Sequence, residues 1–293
     1  MAVKTHRLLN LSSGLASVSV ALTLVGLKLW ALGQTGSLAI AASLTDSAMD
    51  LLVSLGGLVA IIYASRPPDD DHAFGHSSAE DLAALAQSLI ILVSASAIGW
   101  VAATRLLSPD PAPLAAEARG IAVMLASVVL TAALVGWQRH VARRTGNRVV
   151  AADSLHYIGD LLPTLGAILA LAVSARWGLG GIDSIIALAA ALYMAYGALR
   201  IGSAAWDALM DRTADPALVD GIAAIARNWP GVRGFHDLKT RTAGSRIFVH
   251  LHIELDGGQS LREAHAISAA LKRQILISYP QADVIIHQDV AAG

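Results

Sequence analysis

Long apolar stretches separated by short polar segments dominate the first two thirds of the chain. A helix that crosses about 30 Å of hydrocarbon needs roughly 20 mostly apolar residues. The first stretch is too long for the apolar core of a signal peptide and has no cleavage pattern after it. We therefore predict six membrane-spanning helices, close to this length and poor in charge: Leu8–Leu27, Ser37–Ala64, Leu82–Thr104, Gly120–Gln138, Val149–Ala175 and Ser184–Leu199.

The remaining residues follow the patterns of a small water-exposed domain. Apolar and polar residues alternate from Ile247 to Leu255, which is typical of a strand with one buried face. Ser260 and Glu263 have the spacing of a capping box at the start of a helix. The predicted order is α-β-β-α-β, with the other elements at Pro216–Asn228 (Asp215 as N-cap), Val232–Thr242 and Val284–Gln288.

Charge is distributed unevenly and supports a division into two domains. Hydrophobic residues make up 55% of the chain and charged residues 15%, against about 25% charged in a typical soluble domain. Residues 1–207 carry 25 charges, whereas the 86 residues of 208–293 carry 18. The fold class predicted is an α-helical membrane protein with a six-span bundle (1–207) and a C-terminal cytoplasmic α+β domain (208–293).

The placement of basic residues predicts the orientation in the membrane, because Lys and Arg accumulate in short cytoplasmic loops. The loops predicted on the opposite side, Gly33–Gly36 and Pro109–Arg119, carry at most one arginine. We therefore expect both termini in the cytoplasm of a multi-pass protein. The basic residues that support this are Lys4, Arg7, Arg139, Arg143, Arg144 and Arg148.

Two pairs of ionisable residues fall at similar depths within two predicted spans, where each charge costs about 3 kcal/mol. Asp46 and Asp50 are four residues apart, as are His156 and Asp160, so each pair shares a helix face. The rise per residue places the first pair roughly 12–18 Å and the second roughly 15–21 Å below the outer surface. Three carboxylates and one imidazole suit Zn²⁺, with Fe²⁺, Co²⁺ or Cd²⁺ as alternatives.

Other interpretations of these residues remain open. The four side chains could instead satisfy one another and Lys28 as polar contacts between helices. Asp153 lies three residues before His156 and could support a ligand or simply start a helix. The chain has no cysteine, which excludes thiolate sites and disulfides, and its net charge of −1 gives no indication of nucleic-acid binding.

Several motifs together resemble the cation diffusion facilitator family, and within it the bacterial ferrous-iron and zinc efflux pumps. The resemblance covers nearly the whole chain in one order. It implies a metallochaperone-like cytoplasmic domain, a homodimer in the cell inner membrane and metal/proton antiport. The motifs are D-S-A-M-D (Asp46–Asp50), D-D-D-H-A-F-G-H-S-S-A-E (Asp69–Glu80), Q-R-H-V-A-R-R-T (Gln138–Thr145), H-Y-I-G-D (His156–Asp160), W-P-G-V (Trp229–Val232) and V-I-I-H-Q-D (Val284–Asp289).

The resemblance also implies three metal sites. The transport site falls on Asp46, Asp50, His156 and Asp160, and a loop site falls on Asp69, His72 and His76. Ser78 departs from the family pattern, which often has a lysine there that can pair with an acid such as Asp211. A third site, between cytoplasmic domains, falls on His236, His252, His287 and Asp289, with His265 alongside.

We therefore expect a secondary active transporter, and not an enzyme, that exports a divalent transition metal against protons. Zn²⁺ is favoured as cargo and as a structural or regulatory ion, because His156 argues against the all-oxygen site that Mn²⁺ prefers. An imidazole titrates near pH 6.5, which makes His156 the expected proton competitor. The alternatives are an Fe²⁺, Mn²⁺, Cd²⁺ or Co²⁺ exporter, an intramembrane metalloenzyme, which would need an open coordination position, and a metal sensor.

Overall fold

The structure is a computed structural model that describes residues 2–35, 38–107, 118–177 and 182–291. The chain divides into two compact units. One is Arg7–Ala205, and the other is Trp206–Gly293 together with the first six residues.

Six long helices account for most of the first unit and confirm the predicted helical membrane fold. By length and apolar composition, parts of α1, α2, α3 and α6 can cross a membrane, among the residues described. The predicted outer loops fall largely on residues 36–37, 108–117 and 178–181, outside the described residues. The helices are α1 (Ala2–Thr35), α2 (Leu38–Ala64), α3 (Ser78–Leu107), α4 (Ala118–Thr145), α5 (Arg148–Trp177) and α6 (Ile182–Leu209).

The helices of this unit bury small side chains and expose large apolar ones. Ala84, Ala152 and Ala198 are completely buried, whereas Val93 and Trp100 are exposed. Small residues at the contacts let helix backbones approach closely, which is how helices associate in lipid. The large apolar side chains then form a surface suited to hydrocarbon.

Helix α5 lies at the centre of the bundle, packing against α2, α3 and α4. Leu155 of α5 and Met194 of α6 belong to one buried cluster. The start of α5 is fixed by Asn147, whose Oδ1 accepts from the Val150 amide at 3.0 Å, and by an ion pair between Arg148 and the buried Asp81 of α3. These contacts hold α5 in register with its neighbours.

The second unit has the predicted α-β-β-α-β order. The helices are capped as the sequence predicts, with Asp215 before α7 and the Ser260–Glu263 capping box before α8. Strand β2 lies in the middle of the sheet, antiparallel to β1 and parallel to β3. The elements are α7 (Pro216–Arg227), β1 (Gly234–Ala243), β2 (Arg246–Leu255), α8 (Leu261–Ser278) and β3 (Ala282–Val290).

Both helices of this unit cover one face of the sheet. Ile222 of α7 and Leu271 and Ile275 of α8 pack on Val249 and Leu251 of β2. Because side chains alternate along a strand, the residues between these apolar ones, including His252, point to the opposite face. That face therefore carries the polar residues of the sheet.

Candidate metal centres

The first cluster of ligand-type side chains lies between α2 and α5. Nε2 of His156 is 3.1 Å from Oδ1 of Asp50. Together with Asp160, these residues offer ligand atoms that all lie within 4.8 Å of one another. The side chains of His156 and Asp50 are only 11% and 14% exposed. One imidazole nitrogen and two carboxylates thus converge between α2 and α5, with Asp50 and His156 largely covered and Asp160 exposed.

Asp46 and Lys28 lie at the edge of this cluster. Asp46 is exposed one turn from Asp50 on α2, and it is not part of the group within 4.8 Å. Nζ of Lys28 donates to Oγ of Ser47 at 2.6 Å, and Lys28 interacts electrostatically with Asp46, Asp50 and Asp160. The cluster therefore has a cation of the chain itself beside it, and the fourth ligand assigned to Asp46 remains a prediction.

The donor set fits a divalent transition metal. Carboxylates and imidazole are ligands for Zn²⁺ and for neighbouring first-row ions, and their separation permits simultaneous coordination after small side-chain movements. A cation of charge +2 would balance most of the negative charge of the carboxylates, which is costly in a low-dielectric interior. The arrangement can hold a metal cation at the centre of a membrane domain.

A buried polar network lies one helical turn from this cluster. Oδ2 of Asp153 accepts from Oγ of Ser17 at 2.5 Å and from Nε2 of Gln138 at 2.7 Å. Ser17 also bonds Ser54 at 2.9 Å, and Ser54 bonds the hydroxyl of Tyr157 at 2.9 Å. The network links α1, α2, α4 and α5. These contacts join Asp153 to α1 and α4, and both roles that the sequence leaves open for it stay predictions.

The second cluster is in the loop between α2 and α3. The carboxylate of Asp69 lies 3.2 Å from Nδ1 of His72 and 3.2 Å from Nε2 of His76. Gly75 adopts a φ of +85°, a left-handed conformation that glycine accommodates readily, and its amide bonds the His72 carbonyl at 2.8 Å. This tight turn brings the two imidazoles together, with ring centroids 4.5 Å apart.

The loop cluster has one buried member, His76, and two exposed ones, Asp69 and His72. The His76 side chain is 2% exposed and its ring packs edge-on against Tyr63, whereas Asp69 and His72 are exposed. The backbone amide of His72, and then its side chain, donate hydrogen bonds to Asp69, and these bonds lower the pKa of that carboxyl. Asp69 thus stays ionised and available to a cation.

The third cluster crosses the open face of the sheet in the second unit. His236, His252 and His287 are register partners on β1, β2 and β3, so they form one row. The carboxylate of Asp289 lies 3.3 Å from Nε2 of His236, 2.9 Å from Nδ1 of His252 and 3.3 Å from Nε2 of His287. The hydrogen bond from His252, more than the other imidazoles, lowers the pKa of the Asp289 carboxyl.

A β-bulge in β1 helps to build this row. Asp237 has a φ of +49°, and the register shifts between His236 and Lys239, which adds one residue to β1. The extra residue lets His236 face the same side as Lys239. Glu254 lies two residues after His252 on β2, and its Oε1 is 3.9 Å from Nε2 of His236. Gly234 leaves room for this side chain, since a Cβ there would be only 2.5 Å from a Glu254 oxygen. Glu254 is thus a further potential ligand.

His265, His250 and Ser78 lie outside the three ligand clusters. His265 is exposed on α8, which packs on the other face of the sheet, so a single chain does not bring it to the row. His250 is exposed two residues from His252. Ser78 is the first residue of α3, and Asp211 pairs with Arg241 at 3.2 Å. The roles of His265 and Ser78 stay predictions.

Some polar residues of the membrane unit give no signal in the sequence. Ser17, Ser54 and Gln138 are single polar residues in apolar helices, without a spacing that marks a site. Their importance emerges only when three helices bring them to Asp153 and Tyr157. In contrast, the tail row could be anticipated because alternation along a strand assigns His252, His287 and Asp289 to one face.

The first unit has six long helices that expose large apolar side chains and contain a cluster of metal ligands. The second unit is an α+β domain with a ligand cluster of its own. Together these features define a membrane transporter of metal cations. The profile of the cation efflux transmembrane domain matches residues 14–210, and that of the cation efflux protein cytoplasmic domain matches residues 214–291. The chain therefore belongs to the cation efflux family, whose members are transporters and not enzymes. The predicted resemblance is confirmed.

Two relatives are similar to this chain along most of its length. The cation-efflux pump FieF of Cronobacter sakazakii is 41% identical over 279 residues, 94% of this chain and 91% of that protein. The pump of the same name from Shewanella oneidensis is 43% identical over 274 residues, 94% of this chain and 92% of that protein. The solved metal-bound C-terminal domain of the CzcD transporter from Thermotoga maritima is 27% identical, with a TM-score of 0.25, over 26% of this chain and 91% of that chain.

Proposed function

We propose that this metal-cation efflux transporter exports Zn²⁺ in exchange for protons through the cluster of Asp50, His156 and Asp160, with Asp46 as fourth ligand. The observation that carries the proposal is the convergence of these three ligand atoms within 4.8 Å of one another between α2 and α5. A mixed nitrogen and oxygen site favours Zn²⁺ over Mn²⁺, which prefers oxygen ligands only. Fe²⁺, Co²⁺ and Cd²⁺ are the rival cargoes.

Proton coupling follows from the chemistry of the ligands. A metal ion binds the deprotonated forms of imidazole and carboxylate, so protons and metal compete for the same atoms. When the site faces a more acidic compartment, protonation of His156 and the carboxylates favours release of the metal. When it faces the cytoplasm at higher pH, metal binding releases those protons. One site that opens alternately to the two sides can thus exchange a metal ion for protons.

The proposed orientation places both termini in the cytoplasm and the protein in the inner membrane. The end of α4 and the start of α5 carry Arg139, Arg143, Arg144 and Arg148, the densest basic segment of the membrane unit. Such segments remain on the cytoplasmic side. Asp46 and Asp160 then lie toward the outer side of the cluster, and Asp153 toward the inner side.

The loop and tail clusters are proposed to hold resident ions in a homodimer. Asp69, His72 and His76 offer ligand atoms within 4.8 Å of one another, as do His236, His252 and Asp289. His287 completes the tail set through its contact with Asp289, and His265 is available for the dimer. Because both groups lie outside the six long helices in the sequence, their ions would stabilise and regulate the protein instead of moving through it.

Transport into proteoliposomes tests this proposal. The purified full chain should take up Zn²⁺ from the medium, and an outward proton gradient should accelerate uptake. Competition with Fe²⁺, Mn²⁺, Cd²⁺ and Co²⁺ in the same vesicles ranks the cargoes. Uptake that does not respond to the gradient would contradict proton coupling, and metal binding without any uptake would favour a sensor.

A further inference from the structure

Asp153 is a carboxylate buried between the ligand cluster and the inner end of the bundle. It is only 6% exposed. It lies three residues before His156 and seven before Asp160, so all three share one side of α5. Exposure decreases along this side, from Asp160, which is exposed, through His156 to Asp153. The transport site is thus most enclosed on the side where Asp153 lies.

The two oxygens of Asp153 have different surroundings. Oδ2 is held by Ser17 of α1 and Gln138 of α4. Oδ1 is also buried, and it has no hydrogen-bond partner among the residues that the structure describes. A buried polar atom without a partner costs about 1–3 kcal/mol, and a ligand bound to it would remove this cost. One oxygen is therefore fixed, and the other is left for a ligand.

A small cavity adjoins Asp153. Its volume is about 10 Å³, close to the 10–15 Å³ that one water molecule needs. Ser13 and Ser54 line this cavity with hydroxyl groups, and Gly57 lines it without a side chain. Val149 and Ile61 are among its apolar lining residues. Val149 is the second residue of α5 and Ile61 lies near the end of α2, so the cavity lies on the side of Asp153 that faces the inner ends of both helices.

We propose that Asp153 is a transient binding site for the cation on its inner access path, one helical turn before the cluster of Asp50, His156 and Asp160. The fixed oxygen holds the carboxylate in place, and the second oxygen replaces part of the hydration shell of an entering divalent cation. Asp153 would lower the energy barrier to entry of the cation and would not tighten its binding at equilibrium. This inference rests on the proposed function of the central cluster.

Asp153→Asn separates this role from that of a structural brace. The amide keeps the size of the side chain and an oxygen that accepts from Ser17 and Gln138, but it removes the negative charge. The full chain with Asp69→Ala and Asp289→Ala, which disable the loop and tail clusters, provides the background. We expect kcat/KM for Zn²⁺ uptake from the inner face to fall about tenfold. The equilibrium Kd for Zn²⁺, measured by calorimetry, should not change.

Ser154→Ala is the control for this substitution. Ser154 is the next residue of α5, is equally buried and does not line the cavity. Uptake by this variant should equal that of the background protein. A brace would give a different pattern, with full uptake and an unchanged melting temperature for Asp153→Asn, which keeps the hydrogen bonds, and a lower melting temperature for Asp153→Ala, which loses them.

A pair of neighbouring glycines tests the path without changing Asp153. A Cβ on Gly57 would lie 3.0 Å from Nε2 of Gln87 and 3.3 Å from Cγ1 of Val149, at the cavity wall. A Cβ on Gly56 would meet nothing within 4 Å. Gly57→Ala should therefore slow uptake without changing the Kd, and Gly56→Ala should do neither.

Two results would overturn the inference. The first is a kcat/KM for Asp153→Asn equal to that of the background protein. If Asp153→Asn does not fold, equal uptake by Gly57→Ala and Gly56→Ala would contradict the proposed path. The other is a loss of uptake that follows an equal loss of Zn²⁺ affinity. In either case Zn²⁺ uptake by the background protein still supports the proposed function. Zn²⁺ binding that survives Asp50→Ala in this background would instead contradict the proposed function itself.

Discussion

His156 contributes the single nitrogen of the membrane cluster, and its ring lies 3.1 Å from Asp50. Replacing it with Asp gives a site of oxygen ligands only, which suits harder ions. We predict that His156→Asp lowers the ratio of Zn²⁺ to Mn²⁺ uptake in proteoliposomes. His140→Asp changes an exposed histidine of α4 and should leave the ratio unaltered. An unchanged ratio for His156→Asp would argue against direct ligation by this imidazole.

His287 tests the tail cluster at the same scale. Its Nε2 contacts Asp289 at 3.3 Å, in a row with His252 and His236. Zn²⁺ should raise the melting temperature of the fragment from Asp211 to the C-terminus, because an ion that binds only the folded state stabilises it. His287→Ala should remove much of this increase. His250→Ala alters an exposed neighbour and should retain it. Calorimetry that detects no Zn²⁺ binding by the unsubstituted fragment would refute the ligand assignment.

The depressed pKa of Asp289 gives this binding a defined pH dependence. The carboxyl is held ionised by the hydrogen bond from His252, so its charge persists below the ordinary aspartate value of about 3.9. Protons compete with a bound metal ion for its ligand atoms, but the Asp289 carboxylate stays available at pH values at which an ordinary aspartate begins to be protonated. Asp289→Ala should therefore reduce the thermal stabilisation of the fragment by Zn²⁺ at pH 5 as well as at pH 7. Equal stabilisation of the two fragments at pH 5 would contradict a ligand role for Asp289.

The packing of α5 on α6 makes a prediction at the scale of elements. A Cβ on Gly197 of α6 would lie 2.7 Å from Cδ2 of Leu155, the residue before His156. Gly197→Ala should thus destabilise the bundle by about 1–3 kcal/mol through overpacking. Gly136→Ala on α4 would meet nothing within 4 Å and is the matched control. Thermal unfolding in detergent should give a lower melting temperature for Gly197→Ala only.

Elements were more predictable than their contacts. Apolar stretches gave six helices because hydrocarbon demands length, and alternation gave β2 because one face of the sheet is covered. The bulge at Asp237 was not foreseeable, since no glycine marks it and its cause is the pairing with β2. The sites follow the same rule. The helical spacing and the similar predicted depth of His156 and Asp50 indicate that their side chains come into contact. The partners of Asp153 instead depend on how α1 and α4 pack around α5.

The proposed function assigns transport to the cluster in the membrane helices and not to the two clusters that lie outside these helices in the sequence. Substitution of the tail ligands in the full chain should therefore reduce transport without abolishing it. We predict measurable Zn²⁺ uptake by full-length His287→Ala. Complete loss of uptake by this variant, with the protein still present in the membrane, would contradict the separation.

The most direct test of the central claim is Zn²⁺ uptake by full-length Asp50→Asn in proteoliposomes. Asn keeps the shape of the side chain but removes the charge that, with His156 and Asp160, would bind the cation. Asp70→Asn makes the same chemical change on the exposed loop, outside all three clusters. The account predicts that Asp50→Asn folds and has no uptake above empty vesicles, while Asp70→Asn matches the unsubstituted protein. Uptake by Asp50→Asn at the unsubstituted rate would contradict it.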